Sequence, residues 1–347
     1  NGANWSYTFA NYLGDNGNKY DTSSTAFIDP ALAVDGSTVY MLVDLYPGGT
    51  YIGNVQKGTG FNAAGNLLLK KRGENGFNYY LEDGEIYSVE GDEKQLGYSV
   101  DDYFNLTDPN NATSNLFFSN SPFQVLSTSY LYLTKSIDGG KTWSAPQMLN
   151  PDVKDDSDYF YGVGPGRGLV TSTGRIMFAC YTYTTQDGNT SVIYSDDDGK
   201  TWQRCEDMKE QSSEAALVEA DGRIYMFTRH GGYYVSEDNG VTWSSKKSVG
   251  ITYDTGCQIS AITYSCKIDG KTAILLSAPT SGRTCGKIFV GLVNEDGSIN
   301  WEYTYDVNSG SYAYSCLTVL KSKDGTSPAI GLLYENDTGS ITYTSRS

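Results

Sequence analysis

The chain repeats one eight-residue stretch three times: SIDGGKTW at residues 136–143, SDDDGKTW at 195–202 and SEDNGVTW at 236–243. In each copy an Asp can accept bonds from nearby backbone N–H groups and a Gly or Asn can adopt positive φ, which is the chemistry of a turn. The Thr and Trp that follow predict the start of the next strand. We therefore interpret each copy as the tip of a β-hairpin with a Trp packed beneath it. Such recurrence is typical of propellers and solenoids.

The chain begins with residues that match the end of a fourth copy. Residues 1–5 read NGANW, in which Asn4 stands where the complete copies have Thr. We therefore expect the natural N-terminus to lie upstream, so that the sequence is one piece of a longer or nicked protein. The segment 5–13 that follows is predicted to be an outer strand.

The composition favours an all-β protein. The 347 residues include 39 Gly and 29 Tyr but only 9 Pro, which fits many short strands joined by tight turns. No window shows helical periodicity of useful length, whereas alternating strand-like runs such as residues 223–227 recur. The chain exceeds the usual size of a domain, although β-propellers often pass that size as a single unit.

The charge and the metal-binding residue types exclude several classes of partner. A net charge of −16 argues against nucleic acid or an anionic membrane, because both would be repelled. No apolar run approaches the length of a membrane-spanning helix. A zinc site is not expected, because the six cysteines form no CxxC pair and His230 is the only histidine. The sequence predicts no cofactor, and it leaves disulfide pairing open.

Paired strand-like runs recur along the chain and define the predicted domains. The first pair, at residues 27–32 and 39–45, is followed by a stretch at 50–127 that is too long for an ordinary loop. This stretch has strand and turn signals of its own and predicts a small β insert. Because a closed ring of sheets leaves only short, protected edges, residues 1–347 are predicted to form a six-bladed β-propeller that is incomplete at its N-terminus. The chain would hold about five blades and part of the sixth.

The three repeated motifs resemble the Asp boxes of sialidases (neuraminidases). Other landmarks, in order, resemble bacterial exo-α-sialidases that carry a small β domain inserted into a six-bladed propeller. Asp boxes also occur in unrelated propellers, so the ordered set, which covers nearly the whole chain, carries the resemblance. The landmarks are Ile28-Asp29-Pro30, Gly164-Pro165-Gly166-Arg167-Gly168, Glu214 in SEAALVE, Arg229 in MFTRHGG, Arg283 in SAPTSGRTCGK, Tyr314 in YSCLT and Glu335 in GLLYE.

The resemblance implies a tyrosine nucleophile, a glutamate that takes its proton, three arginines on the sugar's carboxylate and an aspartate acid/base. By position Tyr314 corresponds to the nucleophile and Glu214 to its partner, and Arg229 and Arg283 correspond to two of the arginines. Asp29 corresponds to an aspartate that lines the pocket and bonds the ring substituents of the substrate. The first arginine, in an Arg-Ile-Pro motif, and the acid/base would lie upstream, so a missing N-terminal fragment would complete the site.

A tyrosine nucleophile suits an anionic sugar. Sialic acid carries a carboxylate on the reacting carbon, so a carboxylate nucleophile at about 4 Å would be repelled by about 4 kcal/mol. A neutral phenol avoids this repulsion, but its pKa of about 10 requires a neighbouring carboxylate to take the proton as the bond forms. Arginine suits the substrate because its planar fork binds both carboxylate oxygens and stays charged. Sialidases are a known exception to the two-carboxylate pattern of glycoside hydrolases.

Other residues near these landmarks have simpler interpretations. Arg167 lies among glycines and is expected to brace a turn outside the site. His230 follows Arg229 directly, so in a strand it is expected to face the other side. The Asp-box aspartates are interpreted as structural residues on the rim: Asp138, Asp197 and Asp238.

Two hypotheses about function remain open. The first is an exo-α-sialidase that acts on sialylated glycans, with an extracellular or cell-surface location inferred from the resemblance to bacterial enzymes. It would act with retention, either by hydrolysis or by attack of the sugar's own glycerol arm to give a 2,7-anhydro product. The alternative is a non-catalytic Asp-box propeller that binds a glycan or a protein. In that case Tyr314, Glu214, Arg229 and Arg283 need not lie together in one pocket.

Overall fold

A computed structural model describes residues 4–13, 25–183, 188–320, 328–337 and 340–346. Within these ranges the regular structure is almost entirely β, and the only helix is the single turn Asn150–Val153. The all-β class predicted from the composition is confirmed. Most of the incomplete fourth motif, residues 1–3, lies outside the described residues.

Five sheets follow one another along the chain. The first two are formed by strands that lie between residues 26 and 204. In spatial order the first sheet has the strands Gln147–Met148, Tyr130–Ser136, Thr38–Tyr46, Ala26–Asp35 and Gly166–Arg167. The second has Phe160–Val163, Ile176–Tyr183, Thr190–Ser195 and Gln203–Arg204, with Leu169–Val170 also paired to the strand Ile176–Tyr183.

The other three sheets are antiparallel and contain strands in simple chain order. The third has Ala215–Ala220, Arg223–Thr228 and Tyr233–Ser236. The fourth has Ser260–Thr263, Ala273–Ser281, Thr284–Val293 and Ile299–Ser311. The fifth has Ser315–Leu320, Ala329–Asp337 and Ser340–Arg346. These strands include the paired runs that the sequence predicts for the later repeats.

The strand Arg223–Thr228 shows how the sheets pack. It is reached through a two-residue turn in which Asp221 and Gly222 both have positive φ, the conformation that matches the twist of a hairpin. Tyr225 and Phe227 point to one face and pack with the fourth sheet, whereas Ile224 and Met226 point to the other and pack with the second. The strand is therefore buried on both faces by its neighbouring sheets.

An apolar cluster lies between each pair of consecutive sheets. One cluster lies between the first and second sheets, and others lie between the second and third, the third and fourth, and the fourth and fifth. The innermost strands also meet, since Gly166–Arg167 contacts both Ala215–Ala220 and Ser315–Leu320. Sheets stacked face to face around a shared axis form a β-propeller, so this part of the predicted fold is confirmed. The total of six blades stays a prediction.

Two small sheets lie in the region predicted to be an insert. One has the strands Glu85–Ser88, Tyr79–Glu82, Leu67–Lys71 and Phe123–Gln124, and the other has Ser99–Val100, Asn105–Thr107 and Thr113–Asn115. Leu69 and Ile86 of this region share an apolar cluster with Leu45 and Tyr132 of the first sheet. The small sheets therefore bury their apolar face against the propeller. The domain limits 1–347 and 50–127 stay predictions.

Each repeated motif is a loop held by its aspartate. In the second copy the Asp197 carboxylate accepts the N–H of Lys200 at 3.1 Å, the N–H of Thr201 at 2.9 Å, and the hydroxyls of Thr201 and Ser195. Trp202 is buried between the first two sheets, as predicted. The prediction that the Thr–Trp pair begins the next strand was wrong. The aspartate holds the Thr in the loop, and the strand begins at Gln203. Asp138 and Asp238 make the same bonds.

Residues 5–13 do not form the outer strand that the sequence predicts. The segment is irregular, and Tyr7, Phe9 and Tyr12 are largely exposed. Trp5 lies edge-on against Tyr343, with 5.5 Å between ring centroids. A strand needs a neighbour that pairs with its N–H and C=O groups, and within the described residues no such ladder forms along this segment.

Candidate active site

Glu214 is a buried carboxylate at the N-terminal end of the innermost strand of the third sheet. It directly precedes Ala215–Ala220, and its side chain is 5% exposed. Its Oε1 accepts Nη1 of Arg229 at 3.0 Å and the hydroxyl of Tyr314 at 3.3 Å. Burial raises the pKa of Glu214 above its ordinary value, and the guanidinium of Arg229 opposes this shift. The result is a carboxylate of increased basicity placed beside a phenol.

Arg229 lies directly across from Glu214 because it follows the strand that pairs with Ala215–Ala220. Its N–H donates to the Glu214 carbonyl at 2.8 Å, which continues the hairpin ladder by one residue. Its Nη1 also donates to the Tyr314 hydroxyl at 3.1 Å, and Nη2 donates to the Gly256 carbonyl at 2.7 Å. The hairpin therefore delivers an arginine and a carboxylate to one point.

Tyr314 joins this pair from the fifth sheet, immediately before the strand Ser315–Leu320. Its carbonyl accepts the N–H of Glu335 at 3.0 Å, which aligns the residue with the neighbouring strand. Burial, followed by the charge of Glu214, raises the pKa of Tyr314 to about 12. The phenol is therefore neutral at physiological pH, accepting a bond from Arg229 and donating one to Glu214.

Arg283 approaches the same phenol from the fourth sheet. It lies at the tip of the hairpin between Ala273–Ser281 and Thr284–Val293, where Ser281 pairs with Thr284. Its guanidinium carbon is 5.4 Å from the centre of the Tyr314 ring, and that of Arg229 is 5.9 Å from it. Two guanidinium groups therefore lie within about 6 Å of the centre of one tyrosine ring.

Asp29 occupies a distortion in the innermost strand of the first sheet. The pairing of Ala26–Asp35 with Thr38–Tyr46 shifts between Ile28 and Ala31, and Asp29 has a φ of 58°. Aspartate tolerates this left-handed conformation better than most residues, and such outliers cluster at functional sites. Burial, followed by the charge of Glu214, raises the pKa of Asp29 to about 6. Asp29 therefore shares the electrostatic environment of the site.

Four of the five site residues that the sequence singles out lie in contact with one another, and the fifth, Asp29, is linked to them only through the effect of charge on its pKa. Tyr314, Glu214 and Arg229 are joined by hydrogen bonds, Arg283 packs against the tyrosine ring, and Asp29 is coupled through charge. Their assignment to nucleophile, proton acceptor, carboxylate ligands and pocket wall stays a prediction.

Arg167 and Gln258 both hold the strand that follows Tyr314. Arg167 was expected to brace its own turn, but it donates instead to the Leu317 carbonyl at 3.2 Å. Gln258 was not predicted: its Oε1 accepts the N–H of Ser315 at 3.0 Å, and its Nε2 donates to the Pro165 carbonyl at 3.2 Å. A glutamine within the apolar run 257–262 was the available signal. His230 is exposed and Arg229 is half-buried, but both lie in the turn that follows the strand Arg223–Thr228, so the expectation that they alternate in a strand stays a prediction.

The part of the chain that the structure describes contains no cluster of three or more His, Cys, Asp or Glu side chains suited to a metal ion. It also contains no helix with the length and apolarity needed to cross a membrane. The side chains described at the site are a phenol, two carboxyl groups and two guanidinium groups.

The chain is similar to known sialidases over most of its length. Residues 102–326 match the family model of the BNR repeat-like domain. The chain is 33% identical to an anhydrosialidase of Macrobdella decora over 90% of this chain and 47% of that protein. It is 34% identical to sialidase B of Streptococcus pneumoniae over 92% of this chain and 51% of that protein. It therefore spans about half the length of the curated relatives it matches.

A solved structure extends the comparison to the fold. The intramolecular trans-sialidase from Ruminococcus gnavus superimposes with a TM-score of 0.80 at 30% identity, over 93% of this chain and 78% of that one. The repeated motifs, the propeller and the cluster of Tyr314, Glu214 and Arg229 were established independently of these matches. Together with these matches they show that the chain belongs to the sialidase family, with its BNR-type repeats.

Proposed function

We propose that this chain carries most of the active site of an exo-α-sialidase, which releases terminal α-linked sialic acid with retention. The observation that carries the proposal is the hydrogen-bonded group formed by Tyr314, Glu214 and Arg229, with Arg283 on the tyrosine ring. A binding protein without catalysis has no need for this convergence. The alternative of a non-catalytic glycan- or protein-binding propeller is therefore disfavoured.

In the first step the Tyr314 oxygen attacks the anomeric carbon and its proton moves to Glu214 Oε1. The glycosidic C–O bond breaks, and the leaving oxygen takes a proton from an acid. Arg229 and Arg283 bind the sugar's carboxylate and keep it oriented, and Asp29 bonds the ring substituents. Because the phenol is neutral before it attacks, it meets no repulsion from that carboxylate.

In the second step the oxygen of water or of a sugar hydroxyl attacks the anomeric carbon and the covalent sugar–tyrosine bond breaks. Glu214 returns the proton to the phenol oxygen, and the deprotonated acid of the first step takes the proton of the attacking hydroxyl. If water attacks, the product is free sialic acid. If a hydroxyl of the sugar's own glycerol arm attacks, the product is the 2,7-anhydro sugar. The names of the relatives cover both outcomes, since one is a sialidase and another an anhydrosialidase. Mass spectrometry of the product separates them, because the anhydro sugar is lighter by one water molecule.

The proposal includes residues outside this chain. By resemblance, a third arginine and the aspartate acid lie upstream, so the complete protein is the enzyme to assay. We also propose that residues 50–127 are an inserted small β domain, supported by two sheets that share no strand with the five larger ones. An extracellular or cell-surface location, and a bacterial source, follow from the resemblance alone.

The test is release of sialic acid from a fluorogenic sialoside by the complete protein and by Tyr314→Phe. We expect kcat to fall by about a thousandfold or more, because the phenyl ring retains the packing and loses the attacking oxygen. Tyr305→Phe on the exposed outer strand of the fourth sheet is the matched control. Unchanged turnover by Tyr314→Phe would contradict the assignment of Tyr314 as the nucleophile. If the complete protein showed no turnover, the proposed sialidase activity would be wrong.

A further inference from the structure

Asp254 lies between the two arginines of the site and is linked to both. Its Oδ1 accepts the N–H of Gly256 at 2.7 Å, and its Oδ2 accepts the N–H of Arg283 at 3.0 Å. The carbonyl of Gly256 in turn accepts Nη2 of Arg229 at 2.7 Å. One carboxylate therefore holds the backbone of one arginine directly, and it holds the guanidinium of the other through a short turn.

The conformation of Arg283 needs such support. Gly282 and Arg283 form the two-residue turn of their hairpin, with φ values of 53° and 58°. A turn of this kind requires positive φ at both positions, where Gly and Asn are favoured and a long side chain is not. An acceptor for the Arg283 N–H, supplied by a residue 29 positions earlier, stabilises this turn.

Asp254 is itself anchored to the strands that lead to both arginines. Its own N–H donates to the Pro279 carbonyl at 2.8 Å, in the strand that ends just before Arg283. The buried Tyr253 beside it donates its hydroxyl to the Thr228 carbonyl at 3.1 Å, and Thr228 directly precedes Arg229. The segment is thus fixed relative to both strands and can set the distance between their ends.

An amide could not replace this carboxylate. Both oxygens accept backbone N–H groups, and an asparagine has only one acceptor oxygen. If that oxygen kept the bond to Gly256, the asparagine NH₂ would face the N–H of Arg283, donor against donor. The N–H of Gly256, followed by that of Arg283, lowers the pKa of Asp254, so the side chain remains an ionised double acceptor.

We propose that Asp254 is a positioning residue that fixes the separation and direction of the Arg229 and Arg283 guanidinium groups. The inference rests on the proposed function, in which these groups bind the carboxylate of the sugar. A bidentate grip depends on geometry, and displacement of a positioning group by about 1 Å can cost about a hundredfold in rate. Asp254 then acts through the arginines and does not contact the substrate itself.

The test compares a ligand that has the carboxylate with one in which it is masked. Binding of 2,3-dehydro sialic acid and of its methyl ester to the complete protein is measured by calorimetry, together with thermal unfolding. We expect the wild type to prefer the acid and Arg283→Ala to lose most of this preference. Asp254→Asn should reduce the preference about tenfold and Asp254→Ala further, with little change in ester affinity.

Asp101→Asn is the matched control, because Asp101 accepts two backbone N–H groups at 2.9 Å in the insert, away from the site. If the wild type shows no preference for the acid, the proposed carboxylate site and this inference both fall. If Arg283→Ala loses the preference and both Asp254 variants keep it, only the positioning role is overturned. An equal loss of acid and ester affinity with a lower unfolding temperature would assign Asp254 a merely structural role and also overturn the inference.

Discussion

The phenol oxygen of Tyr314 lies 3.3 Å from Oε1 of Glu214, although the two residues are 100 positions apart in the sequence. Nη1 of Arg229 lies within 3.1 Å of the phenol oxygen and 3.0 Å of the same carboxylate oxygen. The three groups are therefore all within hydrogen-bonding distance of one another. Tyr314 donates its hydrogen bond to Glu214, the group that would accept its proton. The second oxygen of Glu214 is buried without a hydrogen-bond partner among the described residues, which increases the basicity of this carboxylate.

Glu214→Gln should lower kcat by about a hundredfold to ten-thousandfold with little change in KM. The glutamine has nearly the same shape and can still accept a hydrogen bond, but it cannot take the proton from Tyr314. Steady-state kinetics on a fluorogenic sialoside measure both constants. Glu90→Gln, at an exposed position of the insert, is the control. A variant with full kcat would mean that another group receives the proton.

Asp29→Asn should raise the free energy of unfolding at pH 7 and leave it nearly unchanged below about pH 4. The folded-state pKa of about 6 lies above the ordinary 3.8, so the folded protein binds this proton more tightly. The contribution of Asp29 to stability is thus present at low pH and is lost as the pH rises through about 6. Asparagine never ionises, and it also tolerates the φ of 58°.

Urea unfolding of wild type and Asp29→Asn at several pH values measures this difference directly. Asp35→Asn, at the exposed end of the same strand, is the control for a change of charge. A stability difference that does not vary between pH 4 and pH 7 would contradict the burial of the Asp29 carboxyl group.

Gln258→Leu should lower both stability and kcat. The Gln258 side chain is 4% exposed, and both of its polar ends are used, by the N–H of Ser315 and the carbonyl of Pro165. Leucine of similar size leaves those two groups buried without partners, which costs about 1–3 kcal/mol each. Because Ser315 follows Tyr314, the phenol should also move from its acceptor.

Urea unfolding and steady-state kinetics test this variant together. Gln147→Leu is the control, since Gln147 also donates to a backbone carbonyl, that of Lys200 in the second Asp-box loop, but this bond is exposed. If Gln258→Leu lost stability and kept wild-type kcat, Gln258 would hold the fold without holding the nucleophile.

Asp197→Asn should lower the unfolding temperature at pH 7. The bonds from Thr201, first its N–H and then its hydroxyl, lower the pKa of Asp197 to about 2. A depressed pKa stabilises the fold above the ordinary value near 3.8, and this contribution is lost as the pH falls toward 2. The difference between wild type and variant in scanning calorimetry should therefore shrink in acid.

Glu210→Ala, an exposed acidic residue near the end of the second sheet, controls for the loss of a surface charge. A variant that unfolds at the wild-type temperature would show that the Asp-box carboxylate does not hold its loop closed.

Local chemistry made the fold and several site residues predictable from the sequence. The hydrogen bonds that form each Asp-box loop lie within eight residues, so the Asp and Gly of each copy predict the loop from local sequence. One exception is the segment at residues 5–13, whose predicted strand was wrong because a strand depends on a partner that local sequence does not supply. The other is the Thr–Trp pair of the Asp boxes, which was predicted to begin a strand although the aspartate holds the Thr in the loop. Tyr314, one of 29 tyrosines, was identifiable only through the motif around it.

The sequence alone determined that this is a repetitive all-β chain with the ordered motifs of sialidases, because turn chemistry and motifs depend on residues that are neighbours in the sequence. The tertiary structure decided how those residues meet and which others hold them. The partners of Asp254 and Gln258 could not be predicted, because the N–H groups of Arg283 and Ser315 lie 29 and 57 positions away. The face-to-face packing of the sheets brings those positions together, and local sequence patterns do not predict these contacts.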